Sequence, residues 1–173
     1  REWWPELSPD GRWLAYGSDV SGRFEVYVQP WPGPGPAEQV STEGGESPAW
    51  NPAGREIIFL GPPDPAGQRR VMAVDLRTSP ALAVGTPRTL FDFSLRDLRF
   101  LCIPVRCYGV APDGRRFYIA DMHADGVHIV DFESFTQVGF IPTGLGAHGL
   151  YPSRDGKRLY VANRGSHKIH APK

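Results

Sequence analysis

The chain is short of cysteine, of long apolar runs and of any excess of one charge, and each shortage closes off a class of protein. Only Cys102 and Cys107 are present in 173 residues. In an extended segment they would lie about 17 Å apart at roughly 3.3 Å per residue, whereas a disulfide spans roughly 4.4–6.8 Å. Their odd separation also sets them on opposite faces of a strand. They therefore read as small buried hydrophobes rather than as a bridge or a metal pair. No run approaches the roughly 18 apolar residues of a membrane helix, so no membrane span is expected. Nineteen basic residues balance nineteen acidic ones. A nucleic-acid protein carries a basic excess or a basic face, so no nucleic-acid partner is expected. The nine arginines from Arg69 to Arg116 read as solvated loop charges.

Catalytic signatures are missing too. There is no Gly-x-Ser-x-Gly elbow, no Gly-x-Gly-x-x-Gly and no Walker pattern. Pro32-Gly33-Pro34-Gly35 is a poor phosphate cradle because proline has no N–H to donate. No catalytic residue and no cofactor is assigned.

What the chain does have is turns. It holds 20 Gly and 18 Pro, placed between apolar runs in a sequence that is 40% hydrophobic. Ser8-Pro9-Asp10-Gly11-Arg12 returns in degraded form as Asn51-Pro52-Ala53-Gly54-Arg55, Ala111-Pro112-Asp113-Gly114-Arg115 and Ser153-Arg154-Asp155-Gly156-Lys157. An apolar run follows each: Trp13-Leu14-Ala15-Tyr16, Ile57-Ile58-Phe59-Leu60, Phe117-Tyr118-Ile119-Ala120 and Leu159-Tyr160-Val161-Ala162. Proline sets φ near −65° and glycine then allows φ > 0, so each copy reverses the chain between two strands. Asp10, Gly11, Gly54, Asp113, Gly114, Asp155 and Gly156 are the expected structural turn residues. The glycines recur at intervals of 43, 60 and 42 residues, close to the roughly 40–50 of propeller blades.

The predicted fold class is all-β, a partial β-propeller of about three and a half four-stranded antiparallel blades. The blades are expected near 3–42, 46–93, 106–143 and 147–173, the last incomplete, with 94–105 an irregular connection. Phe24 to Gln29 alternates apolar and polar as a half-buried strand does. Trp31 to Pro36 is expected to turn the chain between third and fourth strands. Pro87 to Asp92 supplies the outer strand of the second blade. Asp75 and Asp131, near the ends of third strands, are expected to accept hydrogen bonds from the turns that follow.

The first two units, through about residue 93, resemble the TolB-like (PD40, WD40-like) propeller repeats, which pair a Ser-Pro-Asp-Gly turn with a strand like Phe24-Glu25-Val26-Tyr27-Val28. They also resemble propeller tails of some bacterial serine/threonine kinases. Residues 107 to 170 resemble the YVTN or YncE-type propeller through Ile141-Pro142-Thr143-Gly144, Ala147-His148-Gly149-Leu150-Tyr151 and Tyr160-Val161-Ala162-Asn163. The resemblance implies a binding or scaffold platform, extracytoplasmic and often periplasmic, with no one shared chemistry.

Loops between second and third strands share a face with the loops that link blades, and ligands of propellers are expected there or at the channel mouth. That face gathers Asp19, Glu43, Glu46, His123, Asp125, His148, Asn163, Arg164 and His167. The candidate ligand-binding residues are His123, Asp125, His148, Asn163 and Arg164; the alternative is that they cap turns. Asp121, His123 and Asp125 can also be read as metal ligands, but in one short loop they do not justify assigning a metal. Three functions stay open: a non-enzymatic module that binds a protein or peptide, a lactonase- or quinoprotein-like enzyme, and a sensory tail of a larger protein such as a kinase. An arc open at both ends leaves about five large side chains uncovered at each, which at roughly 1.5–3 kcal/mol per side chain forfeits about 7–15 kcal/mol per end. Closure by remaining propeller blades or by a second copy is therefore expected.

Overall fold

A computed structural model describes residues 1–63, 65, 69–92, 106–153 and 155–165. The chain divides into two compact units, Arg1–Ser94 and Leu95–Lys173. The irregular connection expected at 94–105 and the end of the last, incomplete blade, 166–173, lie outside the described residues.

The first unit holds two antiparallel sheets. One runs in chain order through β1 (Glu2–Leu7), β2 (Trp13–Ser18), β3 (Glu25–Pro30) and β4 (Glu38–Gln39). The other runs through β5 (Glu46–Trp50), β6 (Glu56–Leu60), β7 (Arg70–Arg77) and β8 (Ala83–Val84), and β9 (Arg88–Asp92) also pairs with β7. The Pro-Gly segment after Trp31 does lie between third and fourth strands. Two short outer strands share β7, where the sequence predicts one. Between the sheets, Ala15, Val26, Val28 and Val40 meet Trp50, Ile57, Phe59, Val74 and Leu76 in one buried cluster. The Trp50 indole N–H crosses this layer to donate to the Glu6 carbonyl at 3.2 Å.

The second unit repeats the plan. β10 (Tyr108–Val110), β11 (Arg116–Asp121), β12 (Gly126–Asp131) and β13 (Gln137–Pro142) form a four-stranded sheet, and β14 (Ala147–Pro152) pairs with β15 (Leu159–Asn163). Here Tyr108, Phe117, Ile119, Val127 and Leu150 are fully or almost fully buried. A Cβ added to Gly109 would sit 2.9 Å from both Leu150 and Pro152, so the innermost strands of the two sheets touch where that side chain is missing.

Each hairpin closes through the repeated turn. Gly11, Gly54, Gly114 and Gly156 have φ of 72°, 68°, 67° and 69°, the left-handed region that side-chain-bearing residues avoid. Their amides donate to the carbonyls of Ser8, Asn51, Ala111 and Ser153 at 2.7–3.0 Å. Asp10, Asp113 and Asp155 accept the N–H of Arg12, Arg115 and Lys157, two residues on, at 2.9–3.1 Å. The Ser8 hydroxyl and the Arg12 N–H hold the Asp10 carboxyl below its ordinary value, and Ser153 and Lys157 do the same for Asp155.

Three expectations need correction. Glu25 to Val28 are all buried, not alternating, because a third strand packed on both faces leaves no solvated side except at its end. Asp131 does cap its turn, accepting from the Ser134 N–H and hydroxyl at 2.8 Å; Asp75 instead stays within β7, with its carboxylate 3.6 Å from the Arg88 guanidinium. Cys107 is disulfide-bonded, and the chain's other cysteine, Cys102, lies outside the described residues. β10 begins only at Tyr108, so the separation that an extended strand would impose does not apply to Cys107.

Gly114→Ala should cost about 1–2 kcal/mol, the penalty for a Cβ in the left-handed region. Phe59→Ala, emptying the layer between sheets, should cost about 3–5 kcal/mol. Urea denaturation of the two variants measures both, and the order should not reverse.

Candidate functional site

The candidate residues of the second unit stand on three neighbouring segments: the loop joining β11 to β12, the connection from β13 to β14, and the end of β15. Asp125 ties the first two together. Its own φ is 56°, a left-handed conformation that aspartate tolerates. Its carboxylate accepts the Gly146 N–H at 2.7 Å, and its carbonyl accepts the Thr143 N–H at 2.8 Å. The Thr143 hydroxyl lies 3.0 Å from the Asn163 side-chain oxygen, to which it donates. Arg164 and Gly165 then donate backbone N–H groups to the Gly146 and Leu145 carbonyls at 3.0 and 2.9 Å. Asp125, Asn163 and Arg164 are thus brought together, with two of the three engaged in holding the loops.

The Arg164 guanidinium is exposed and points an N–H at the Met122 thioether, 3.8 Å away. Among the described residues no carboxylate forms an ion pair with it. His148 is half-buried, and burial first, then the Arg164 charge, holds its imidazole below the usual 6.5. His123 is exposed at the loop tip, its N–H donating to Asp121 at 2.8 Å.

The Asp121, His123, Asp125 series does not converge. Asp121 is buried, with one oxygen on the N–H groups of His123 and Ala124 and the other 3.2 Å from His128 Nε2. Asp125 faces the opposite connection. Among the described residues no three His, Cys, Asp or Glu side chains cluster as metal ligands. His167 and His170 lie outside the described residues.

The first unit shows the same loop corner built around Glu25, which the sequence does not single out, and Glu46, which the sequence places on the loop face. Glu25 is 1% exposed. It accepts the Gly44 N–H at 3.0 and 3.1 Å, the Ser41 hydroxyl, and Arg23 Nε at 2.6 Å. In the second sheet Glu46 receives Arg69 in two bonds of 2.8 and 3.3 Å. An acid where a third strand meets the blade-linking segment was the available signal; the apparent alternation of the strand hid it for Glu25. Asp19 and Glu43 flank this corner, where Glu43 is exposed beside Gly44. Away from the loops, Glu2, Trp3, Pro5, Leu14, Tyr16 and Gln29 line a concavity of about 400 Å³ on the outward face of the first sheet.

Asp125→Ala should lower stability by about 1–3 kcal/mol, because it strands the Gly146 N–H. Arg164→Gln, at an exposed position, should stay within about 0.5 kcal/mol; thermal unfolding of both variants separates clamp from surface. The depressed His148 value makes the unfolded chain bind the proton first, so this residue withdraws stability as pH falls below about 6.5, and none above it. A His148→Asn variant should flatten the loss of melting temperature between pH 7 and pH 5.

No protein-family model and no curated protein matches the chain. Solved structures do. TolB from Acinetobacter baumannii matches at a TM-score of 0.70 and 20% identity, covering 96% of this chain and 39% of that one. A gluconolactonase from Xanthomonas campestris matches at 0.61 and 16%, covering 92% and 54%. The β-propeller domain of the Trilobed protease from Pyrococcus furiosus matches at 0.51 and 14%, covering 81% and 41%. The chain spans between 39 and 54% of these three proteins. With four antiparallel sheets in series and these likenesses in fold, the chain is an all-β, partial β-propeller.

Proposed function

We propose that this chain is a non-enzymatic binding and scaffold module, part of a longer β-propeller, that recognises a protein or peptide through the loop face of its second unit. One observation carries the reading. Asp125 fixes the corner from within, while Arg164, His123 and Asn163 stay exposed around it. A rigid corner with exposed polar tips suits recognition, since little ordering remains to be done on binding. The remaining blades would cover the outward face carrying Leu14 and Tyr16. The finer reading assigns PD40-type repeats to the first unit and YVTN-type repeats to the second, with an extracytoplasmic location.

The likeness in fold to a gluconolactonase favours a small-molecule enzyme as second reading. Turnover of gluconolactone by the chain with added divalent metal, above the uncatalysed rate, would select that reading instead.

Arg164→Glu should weaken capture of a partner from an extract of the source cells at least about tenfold, the scale of a charge reversal at a close polar contact. Capture measured by quantitative mass spectrometry should fall while the melting temperature holds. Undiminished capture would remove the loop face from the proposal.

A further inference from the structure

The two units differ in what their loop corners leave unspent. In the first unit each corner cation meets a corner acid. Arg23 donates to Glu25 at 2.6 Å and to the Thr42 carbonyl, and Arg69 donates to Glu46 at 2.8 and 3.3 Å. In the second unit the corner acids are turned inward. Asp125 takes the Gly146 N–H, while Asp121 takes the His123 and Ala124 N–H groups and faces His128. The other described acids of this unit, Asp113, Asp131, Glu133 and Asp155, stand at the opposite strand ends. Arg164 is therefore left with no described acid paired to it, and residues 166–173 add two lysines and two histidines but no acid.

The Arg164 side chain is also positioned. One guanidinium N–H lies 3.8 Å from the thioether of Met122, itself buried, and the Arg164 and Gly165 amides bind the Gly146 and Leu145 carbonyls. Leu145 is 54% exposed, so apolar surface stands on the same corner as the charge. The amides of Thr143, Gly146, Arg164 and Gly165 are all engaged internally, so they form no main-chain nest for an anion.

We propose that the partner recognised at this corner is an acidic peptide segment, whose Asp or Glu carboxylate pairs with the Arg164 guanidinium while a neighbouring apolar side chain rests on Leu145. This rests on the reading of the loop face as a recognition surface. A guanidinium offers a carboxylate two parallel N–H groups, and the support of Met122 lowers the ordering that binding costs. Chain-terminal carboxylates and phosphates are captured by nests of main-chain N–H groups, and here those groups are spent.

Random peptides displayed on phage, their C-termini fused to the coat protein so that side chains supply the carboxylates, are selected on the full chain. The enriched peptides are then titrated by fluorescence anisotropy. They should carry Asp or Glu beside an apolar residue. Affinity should fall at least about tenfold on Arg164→Gln, or on changing the peptide acid to its amide. Arg164→Glu should regain binding when the peptide acid is replaced by lysine, a rescue that a damaged fold could not give. Enriched peptides without an acid that still lose affinity in Arg164→Gln would overturn the acidic partner and leave the loop face as the binding surface. Enrichment confined to a parallel library with free C-termini would overturn the side-chain assignment. Peptides indifferent to both Arg164→Gln and Leu145→Ser, or no enrichment in either library, would overturn this proposal together with the reading beneath it.

Discussion

Each sheet of this protein is apolar on the side that meets its neighbour, and none could be stable by itself. In the first unit, Ala15, Val26 and Val28 present a floor of small side chains on which Trp50, Ile57 and Phe59 rest. A fully buried aliphatic or aromatic side chain of this kind contributes roughly 1.5–3 kcal/mol, and the layer holds most of those available to the unit. The second unit solves the same problem at shorter range. Gly109 lets Leu150 and Pro152 approach the innermost strand directly. The turns, loop corners and exposed groups are arranged around that requirement.

The hairpins were legible because their cause is local. A glycine at the fourth position of each turn, with proline or aspartate before it, dictates the reversal whatever surrounds it. The order of strands followed from the repeat, and the length of the Pro-Gly segment marked the gap between β3 and β4. Less legible were features set by packing. The burial of Glu25 depends on Ser41 and Gly44, which lie 16 and 19 residues further along the chain. The position of Asp75 within β7 depends on how far that strand extends beyond it. The separation of Cys102 from Cys107 was judged for an extended strand, but β10 begins after Cys107.

The candidate site shows the same division. Sequence placed Asp125, Asn163 and Arg164 on loops that meet, and the three segments do meet through Thr143 and Gly146. It could not tell which group would be used up in holding the corner. Glu25 and Asp125 occupy corresponding corners in two different units and do the same work: a carboxylate takes the N–H of the glycine, Gly44 or Gly146, that starts the approach to the next sheet. This recurrence separates Asp125, a member of the framework, from Arg164, which no described acid engages. Asp121 makes a similar point. Two acids and a histidine at alternate positions look like a ligand set, yet the chain curls so that Asp121 serves its own turn and His128 while Asp125 faces away.

The reversals also stack on one another. A Cβ on Gly54 would lie 3.8 Å from Pro9, and one on Gly156 would lie 3.5 Å from Pro112, so in both units the proline of one reversal sits beneath the glycine of the next. Such nesting makes the array commensurate. Within each unit, a change of a few residues within a strand shifts the nest out of step with the sheet beside it, whereas a change of one whole module does not. Length variation in the lineage of this protein should accordingly come in complete modules or be confined to the loops, leaving the spacing from turn glycine to strand untouched.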